Sequence, residues 1–190
     1  MKTGIFLCLF LLWGITMGYA NTTKVVMIIA HHNFRDEELF VTKEILERHG
    51  VKVTVASSAL TPAKGMLGGV YKPDLLVQDI SIDDYDALIF VGGMGATEYW
   101  NSEIAHRLAH EAFQKGKVVA AICIAPVTLA KAGLLKDKRA TVWSSEAGKL
   151  ESAGAIYTGK PVEKDGLIIT ANGPQSAQAF AESILAALEK

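Results

Sequence analysis

Cysteine is scarce in this chain of 190 residues, which contains only Cys8 and Cys123. So few cysteines exclude the dense disulfide framework of small secreted domains. Neither charge sign dominates, since 19 lysines and arginines stand against 20 aspartates and glutamates. The balance gives no support for binding to nucleic acid or to an anionic membrane surface. Internal repeats and low-complexity linkers are also missing, which favours a single domain.

The N-terminal residues have the pattern of a secretory signal peptide. Lys2 supplies a positive charge, an apolar stretch follows, and the small residues Gly18 and Ala20 occupy the positions that signal peptidase recognises. The apolar stretch is shorter than the roughly 20 residues that span a bilayer, which argues against the alternative of a membrane anchor. We therefore predict a signal peptide over 1–20 and one exported domain, periplasmic or extracellular, over 21–190.

Strands and helices alternate along the rest of the chain. Continuous apolar runs predict buried strands, and amphipathic stretches that stop near glycine predict helices. The predicted strands cover 24–30, 51–56, 86–91, the apolar run after Lys117 that ends at Cys123, 140–143, 162–164 and 167–170. The predicted helices cover 36–48, 102–115, 126–132, 145–153 and 174–189. Residues 57–81 predict a small hairpin or an excursion at the sheet edge. This spacing predicts one doubly wound α/β domain with a mostly parallel sheet.

The segment 117–130 predicts a strand, a sharp turn and a helix. An apolar run ends at Cys123, and Pro126 suits the first turn of the helix that follows. A cysteine at such a turn resembles a nucleophile elbow, and the helix N-terminus is expected to lower the pKa of its thiol. The alternative is a buried structural cysteine, because unpaired cysteine is among the most buried residue types.

Three chemically distinct segments follow central strands and are expected to meet at the carboxyl edge of the sheet. Besides Cys123, they carry the carboxyl group of Glu38 and the glycine turn at Gly93. Glu38 would be desolvated beside the thiol and would titrate with it as a coupled pair. The N–H groups of Gly93 and Ile124 are candidates for an oxyanion hole. Taken alone, Glu38 is equally well interpreted as a solvated acid at a helix start.

Histidines and cofactors need separate consideration. His31 and His32 in the first loop either supply an imidazole to the cleft or lie in solvent. His106 and His110 are one helical turn apart, but a third ligand is missing, so no metal site is predicted. The glycine turn lacks the Lys-Ser/Thr of a phosphate-binding loop, which argues against a nucleotide. No cofactor is expected.

Four motifs, spread in order over the chain after the signal peptide, are similar to those of the ThiJ/PfpI family. That family includes the parkinsonism-associated deglycase and proteins named as intracellular proteases. The motifs are Phe34-x-Asp36-x-Glu38, Val91-Gly92-Gly93, Ala120-Ala121-Ile122-Cys123-x-x-Pro126 and Asp165-Gly166-Leu167-Ile168-Ile169-Thr170-Ala171-Asn172-Gly173-Pro174. The resemblance implies a flavodoxin-like three-layer α/β/α sandwich of the class I glutamine amidotransferase-like type, usually in a homodimer or a larger homo-oligomer.

The resemblance also implies site residues, and this chain departs from the family at two of them. It implies Cys123 as the reactive thiol, Glu38 as its acidic partner, and Gly93 and Ile124 as oxyanion donors. Protease-like members carry histidine at the position of Ile124, and deglycase-like members carry histidine where this chain has Trp143. No Cys-His dyad remains, which weakens a peptidase interpretation because a thiol protease needs a base.

Two functions follow from these residues. The first is an enzyme in which Cys123 attacks a small reactive carbonyl or its adduct, with glyoxalase, deglycase and hydrolase as variants of one chemistry. The second is a non-enzymatic redox sensor or stress-protective protein, whose thiol is oxidised to a sulfinate beside Glu38. The partners expected are a small carbonyl substrate and further copies of this chain, with no nucleic acid and no membrane after signal cleavage.

Overall fold

The computed structural model describes residues 22–189. The predicted signal peptide and Cys8 lie outside these residues, and both the signal and the domain bounds stay predictions. Within the described part, no helix is long and apolar enough to cross a membrane.

Twelve strands and five α-helices follow one another along the described chain. The strands are β1 (Lys24–Ile28), β2 (His32–Phe34), β3 (Lys52–Ser57), β4 (Ala63–Gly65), β5 (Val70–Tyr71), β6 (Leu75–Leu76), β7 (Ala87–Phe90), β8 (Val118–Ile122), β9 (Arg139–Ala140), β10 (Ile156–Tyr157), β11 (Val162–Asp165) and β12 (Ile168–Ala171). The helices are α1 (Asp36–Arg48), α2 (Glu103–Gln114), α3 (Pro126–Lys131), α4 (Ala147–Ser152) and α5 (Ala177–Leu188).

The main sheet has seven strands in the order β11-β12-β8-β7-β1-β3-β6. All its neighbouring pairs are parallel except β11 and β12. Alternate residues of β1 face opposite sides, as a pleated strand requires. Val25 and Met27 pack in the core beneath α1 and α5, whereas Val26 and Ile28 pack in the core beneath α2, α3 and α4. The predicted three-layer flavodoxin-like sandwich is confirmed.

Most predicted elements agree with the observed ones to within two residues at each end, and three further differences concern the kind of structure formed. The strand predicted over 140–143 is only the pair Arg139–Ala140, because the chain then turns toward the elbow at Trp143. The helices predicted over 145–153 and 174–189 each begin with a 3₁₀ turn, at Ser144–Glu146 and Pro174–Ser176. Both differences lie at element ends, where local sequence determines structure least.

Residues 57–81 contain the predicted hairpin. Strands β4 and β5 pair antiparallel, and β2 joins them in a small sheet of three strands. Asp36 anchors this hairpin to α1, because its Oδ1 and Oδ2 accept the N–H groups of Gly69 and Leu67 at 2.6 and 2.8 Å. The hairpin therefore has a fixed position beside the carboxyl edge of the main sheet.

Candidate active site

Cys123 lies on a strained turn directly after β8. Its φ is +64°, in the left-handed region that residues with a Cβ rarely adopt. Two backbone hydrogen bonds hold this conformation, one from Cys123 N–H to Ala171 O at 2.9 Å and one from Trp143 N–H to Cys123 O at 2.8 Å. Helix α3 then begins at Pro126. The predicted nucleophile-elbow geometry is thus present.

The side chain of Glu38 comes from the first turn of α1 and is fully buried. Its Oε2 accepts the N–H of Gly92 at 2.9 Å, and its Oε1 has no hydrogen-bond partner among the described residues. Burial raises the pKa of Glu38 to about 8, although its interaction with the thiol of Cys123, the bond from Gly92 and the charge of Arg35 act in the opposite direction. Glu38 is therefore desolvated, as predicted, and not a solvated acid at a helix start.

The thiol of Cys123 lies beside this carboxyl group and is 9% exposed. Burial, followed by the negative charge of Glu38, raises the pKa of Cys123 to about 12. Hydrogen bonds from the backbone of Gly93 and Ile124 lower it, but less strongly. The expectation of a lowered thiol pKa is therefore wrong, because the sequence does not show how deeply the carboxyl and the thiol are buried together.

The N–H groups of Gly93 and Ile124 both lie at the sulfur. Gly93 has a φ of +94°, and a Cβ atom there would overlap the backbone of Asn33 and Arg35. Glycine is consequently required for this close approach. Two backbone donors that meet at the nucleophile are the arrangement that stabilises an oxyanion during attack on a carbonyl.

A cavity of ≈370 Å³ opens over the sulfur. Its lining combines the predicted Cys123, Gly93, Ile124 and Trp143 with residues that the sequence did not single out for the site. These additional residues are Arg35, Met66, Met94, Thr97, Trp100, Ser145, Glu146 and Pro174. The volume falls near the lower end of the range, about 300–1,000 Å³, that ligand pockets occupy.

Arg35 is the cation of this cavity. Its Nε and Nη2 donate hydrogen bonds of 2.8 and 3.0 Å to the carboxylate of Glu37. The hydrogen bond to Glu37 raises the pKa of Arg35 most, and the negative charges of Glu37, Glu38 and Cys123 raise it further. The guanidinium group is therefore close enough to interact with the thiol–carboxyl pair. The sequence signal for it was its position inside the Phe34-x-Asp36-x-Glu38 motif.

The histidines lie elsewhere. His31 and His32 contact each other with ring centroids 4.5 Å apart, and His31 Nε2 pairs with Thr61 Oγ1 at 3.2 Å. Neither histidine lines the cavity. His106 Nε2 pairs with the carbonyl of Trp100 at 3.0 Å. Over residues 22–189, no three His, Cys, Asp or Glu side chains are grouped closely enough to hold a metal ion.

Two tryptophans form walls of the cavity. Trp143 is 41% exposed, and its ring packs so tightly on Gly173 that a Cβ there would lie 2.8 Å from it. Trp100 donates its Nε1–H to the carbonyl of Ile124 at 3.2 Å. The Trp100 ring is therefore bonded to the turn that carries Cys123, and the Trp143 ring packs on Gly173 while its backbone bonds to Cys123 O.

Comparison with known proteins places this geometry in a family. The sequence profile of the DJ-1/PfpI family matches residues 23–187. An uncharacterized protein of Methanocaldococcus jannaschii is 44% identical over 173 residues, which cover 90% of this chain and 84% of the relative. A deglycase of Pyrococcus abyssi is 30% identical over 82% of this chain and 93% of its own length.

Further similarity comes from a named glyoxalase and from a solved structure. A glutathione-independent glyoxalase of Caenorhabditis elegans is 27% identical over 90% of this chain and 91% of its own length. The crystal structure of a ThiJ/PfpI domain protein from Brachyspira murdochii superposes with a TM-score of 0.86 at 32% identity, covering 89% of this chain and 98% of that protein.

Proposed function

This chain belongs to the DJ-1/PfpI family, also named ThiJ/PfpI, and on this basis we propose that it is a cysteine-dependent enzyme acting on small reactive carbonyls or their adducts. Relatives named deglycase and glutathione-independent glyoxalase support this class of reaction. One observation carries the proposal. The thiol of Cys123 lines the cavity and adjoins the buried carboxyl group of Glu38, whose pKa is raised to about 8.

The first step is addition of sulfur to an aldehyde. As the C–S bond forms and the carbonyl π bond breaks, Glu38 takes the thiol proton and returns it to the new oxyanion, giving a neutral hemithioacetal. The N–H groups of Gly93 and Ile124 stabilise the negative charge on that oxygen before it is protonated. A pKa near the working pH suits Glu38 to both halves of this proton transfer.

With an α-oxoaldehyde the reaction continues without an external oxidant. Glu38 moves the proton from the former aldehyde carbon to the neighbouring oxo carbon through an enediol, so that the first carbon is oxidised to a thioester and the second is reduced to an alcohol. Water then cleaves the thioester, releasing a 2-hydroxy acid and restoring the thiol. Deglycase and hydrolase activity use the same addition and release steps on an adduct or an ester.

The test is formation of lactate from methylglyoxal by the purified protein. Cys123→Ala is expected to abolish turnover, and Glu38→Gln to reduce it by about 100-fold or more, the range for a general acid–base group. Ser152→Ala, an exposed change on α4, is the matched control and is expected to retain full activity. Full activity in Cys123→Ala would remove the proposal.

A second candidate function, a thiol redox sensor, rests on the unpartnered Oε1 of Glu38. If peroxide oxidises Cys123 to a sulfinate, a protonated Oε1 is available to donate a hydrogen bond to the new oxygens. Intact-mass analysis after mild peroxide treatment tests it. A gain of two oxygens on wild type but not on Cys123→Ala is expected, and no gain on wild type would contradict it.

A peptidase function has less support. No histidine lines the cavity, so the imidazole of a Cys-His dyad, which activates the thiol and protonates the leaving amine in thiol proteases, is missing from the described site. Export and a homodimer or larger assembly remain proposals. Size-exclusion chromatography with light scattering tests the assembly.

A further inference from the structure

The walls of the cavity are apolar for the most part. Besides the two tryptophans, the apolar lining residues are Met66, Met94, Ile124 and Pro174, and the polar side chains of the wall are those of Arg35, Thr97, Ser145 and Glu146. Met66 and Met94 are also linked to each other, because the Met94 N–H lies 3.4 Å from the Met66 sulfur. Aromatic and thioether side chains bind apolar and aromatic groups through dispersion and ring-edge contacts. The surface above Cys123 thus offers little to a strongly hydrated substrate.

The charged side chains of the cavity are each paired with a neighbour. Arg35 binds Glu37 through two hydrogen bonds. Glu146 accepts hydrogen bonds from Lys149 and Ser145. Burial raises the pKa of Glu146, but these two bonds outweigh that effect and keep the pKa below its usual value. A substrate carboxylate or ammonium group would therefore have to compete with an existing ion pair. The cavity favours an uncharged substrate.

The cavity is also larger than a three-carbon aldehyde requires. An apolar cavity of about 150 Å³ is enough to hold benzene, and this cavity has ≈370 Å³. An aromatic ring and an adjacent pair of carbonyl groups fit together within that volume. A substrate as small as methylglyoxal would leave most of the apolar wall in contact with water.

The tryptophan rings are held at fixed positions relative to the sulfur. The backbone of Trp143 bonds to Cys123 O at 2.8 Å, while its ring packs on Gly173. Trp100 bonds to Ile124 O, and the ammonium groups of Lys149 and Lys131 lie 5.2 and 6.0 Å from its ring centroid. A pre-formed wall binds an apolar group without the entropic cost of ordering side chains.

We propose that this cavity selects α-oxoaldehydes, or their adducts, that carry an aromatic or extended apolar group, and that Trp143 and Trp100 are the residues that determine this specificity. The inference rests on the proposed function and narrows its substrate class.

The test compares kcat/KM for phenylglyoxal and methylglyoxal, measured as initial rates with the full chain. Phenylglyoxal is expected to be preferred by about 10-fold or more, the discrimination that a well-formed apolar contact supplies. Trp143→Ala is expected to lower kcat/KM for phenylglyoxal far more than for methylglyoxal, so that most of the preference is lost. Trp143→Phe, which keeps an aromatic wall, is expected to restore it. The exposed Ile156→Ala, outside the cavity, is the control and should match wild type.

The outcomes separate this inference from the function beneath it. The specificity proposal is wrong if both aldehydes are turned over without a preference for phenylglyoxal, or if the preference is unchanged in Trp143→Ala. Either result is still consistent with the proposed enzyme class. If neither aldehyde is turned over, the proposed enzyme class is wrong. Calorimetric titration of Cys123→Ala with acetophenone and with acetone then tests whether the cavity binds aromatic groups selectively. Saturable binding of acetophenone but not acetone supports the apolar site, and no binding of acetophenone overturns it.

Discussion

The backbone N–H of Gly92 donates a 2.9 Å hydrogen bond to Oε2 of Glu38, and the same glycine leaves room for the nucleophile. A Cβ atom at Gly92 would lie 2.5 Å from Cys123 Cβ and 2.6 Å from Glu38 Oε2. One residue without a side chain therefore holds the carboxyl group and allows the thiol to approach it. The close packing of this pair depends on it.

Gly92→Ala is expected to separate the thiol from the carboxyl group. Overpacking of this kind costs about 1–3 kcal/mol of folding free energy, and we expect kcat/KM for α-oxoaldehydes to fall by about 10-fold or more because the two groups no longer adjoin. Gly148→Ala is the control, since a Cβ there meets nothing within 4 Å. Urea unfolding and steady-state kinetics measure both effects. Wild-type kinetics in Gly92→Ala would refute the packing argument.

Glu38 makes the stability of the protein fall with rising pH. Its pKa is raised from 4.5 to about 8 on folding, so between these values the folded state binds more protons than the unfolded state, and the free energy of unfolding decreases as pH rises. The side chain in Glu38→Gln carries no charge at any pH. We therefore expect the free energy of unfolding of this variant to exceed that of wild type by a few kcal/mol at about pH 8 and by little at about pH 5.

Chemical unfolding at the two pH values measures this difference. Glu44→Gln, an exposed change on the same helix, is the control and is expected to follow the wild-type pH dependence. A stability gain in Glu38→Gln that is equal at both pH values would show that the carboxyl is not held protonated by burial.

Arg35 is expected to set where activity rises with pH. Its positive charge lowers the pKa of Glu38, so Arg35→Gln should move the rise of kcat/KM to higher pH and reduce kcat/KM at about pH 7 several-fold. The effect is modest because Glu37 already pairs with this guanidinium. Arg48→Gln, at the exposed end of α1, serves as the control. If the pH profile of Arg35→Gln is the same as that of wild type, the positive charge of Arg35 does not affect the ionisation of Glu38 and Cys123.

Asp36→Asn tests the attachment of the hairpin that carries Met66. Asp36 now accepts hydrogen bonds from the N–H groups of Leu67 and Gly69. In Asp36→Asn the NH₂ group would face one of these N–H donors, so that one of the two bonds is lost. Loss of a buried hydrogen bond of this kind costs about 1–3 kcal/mol. Urea unfolding is expected to show that loss, with the exposed Asp79→Asn unchanged. Equal stability of the two variants would argue against the anchor.

The elbow could be predicted from the sequence because its signals are local. The segment contains a run rich in β-branched residues, then a cysteine, then Pro126. These neighbouring signals all favour a strand followed by a turn and a helix. The three-layer architecture follows for a related reason, since buried parallel strands and amphipathic helices have different periodicities. Glu38 was ambiguous from local pattern alone, and the family resemblance was needed to single it out.

The electrostatics and the cavity walls could not be predicted in this way. The pKa of Cys123 is raised because residues from several strands bury the thiol. A short sequence motif does not show how many such residues pack around it. Trp100 lies in a loop after the glycine turn, 23 positions before Cys123, and reaches the site only because Gly93 redirects the chain. His31 and His32 were candidates because they lie in the loop after the first strand, but His32 is part of β2 in the small sheet and neither histidine lines the cavity.

The pH dependence of Cys123 alkylation tests most directly whether Cys123 and Glu38 form one coupled acid–base unit. Wild type is expected to react with an apparent thiol pKa above the free value of about 8.5, and Glu38→Gln to react with a lower one, because the carboxylate charge that opposes ionisation is gone. Glu44→Gln should match wild type. An apparent pKa that is the same in wild type and Glu38→Gln would contradict the coupling and leave Cys123 a structural cysteine.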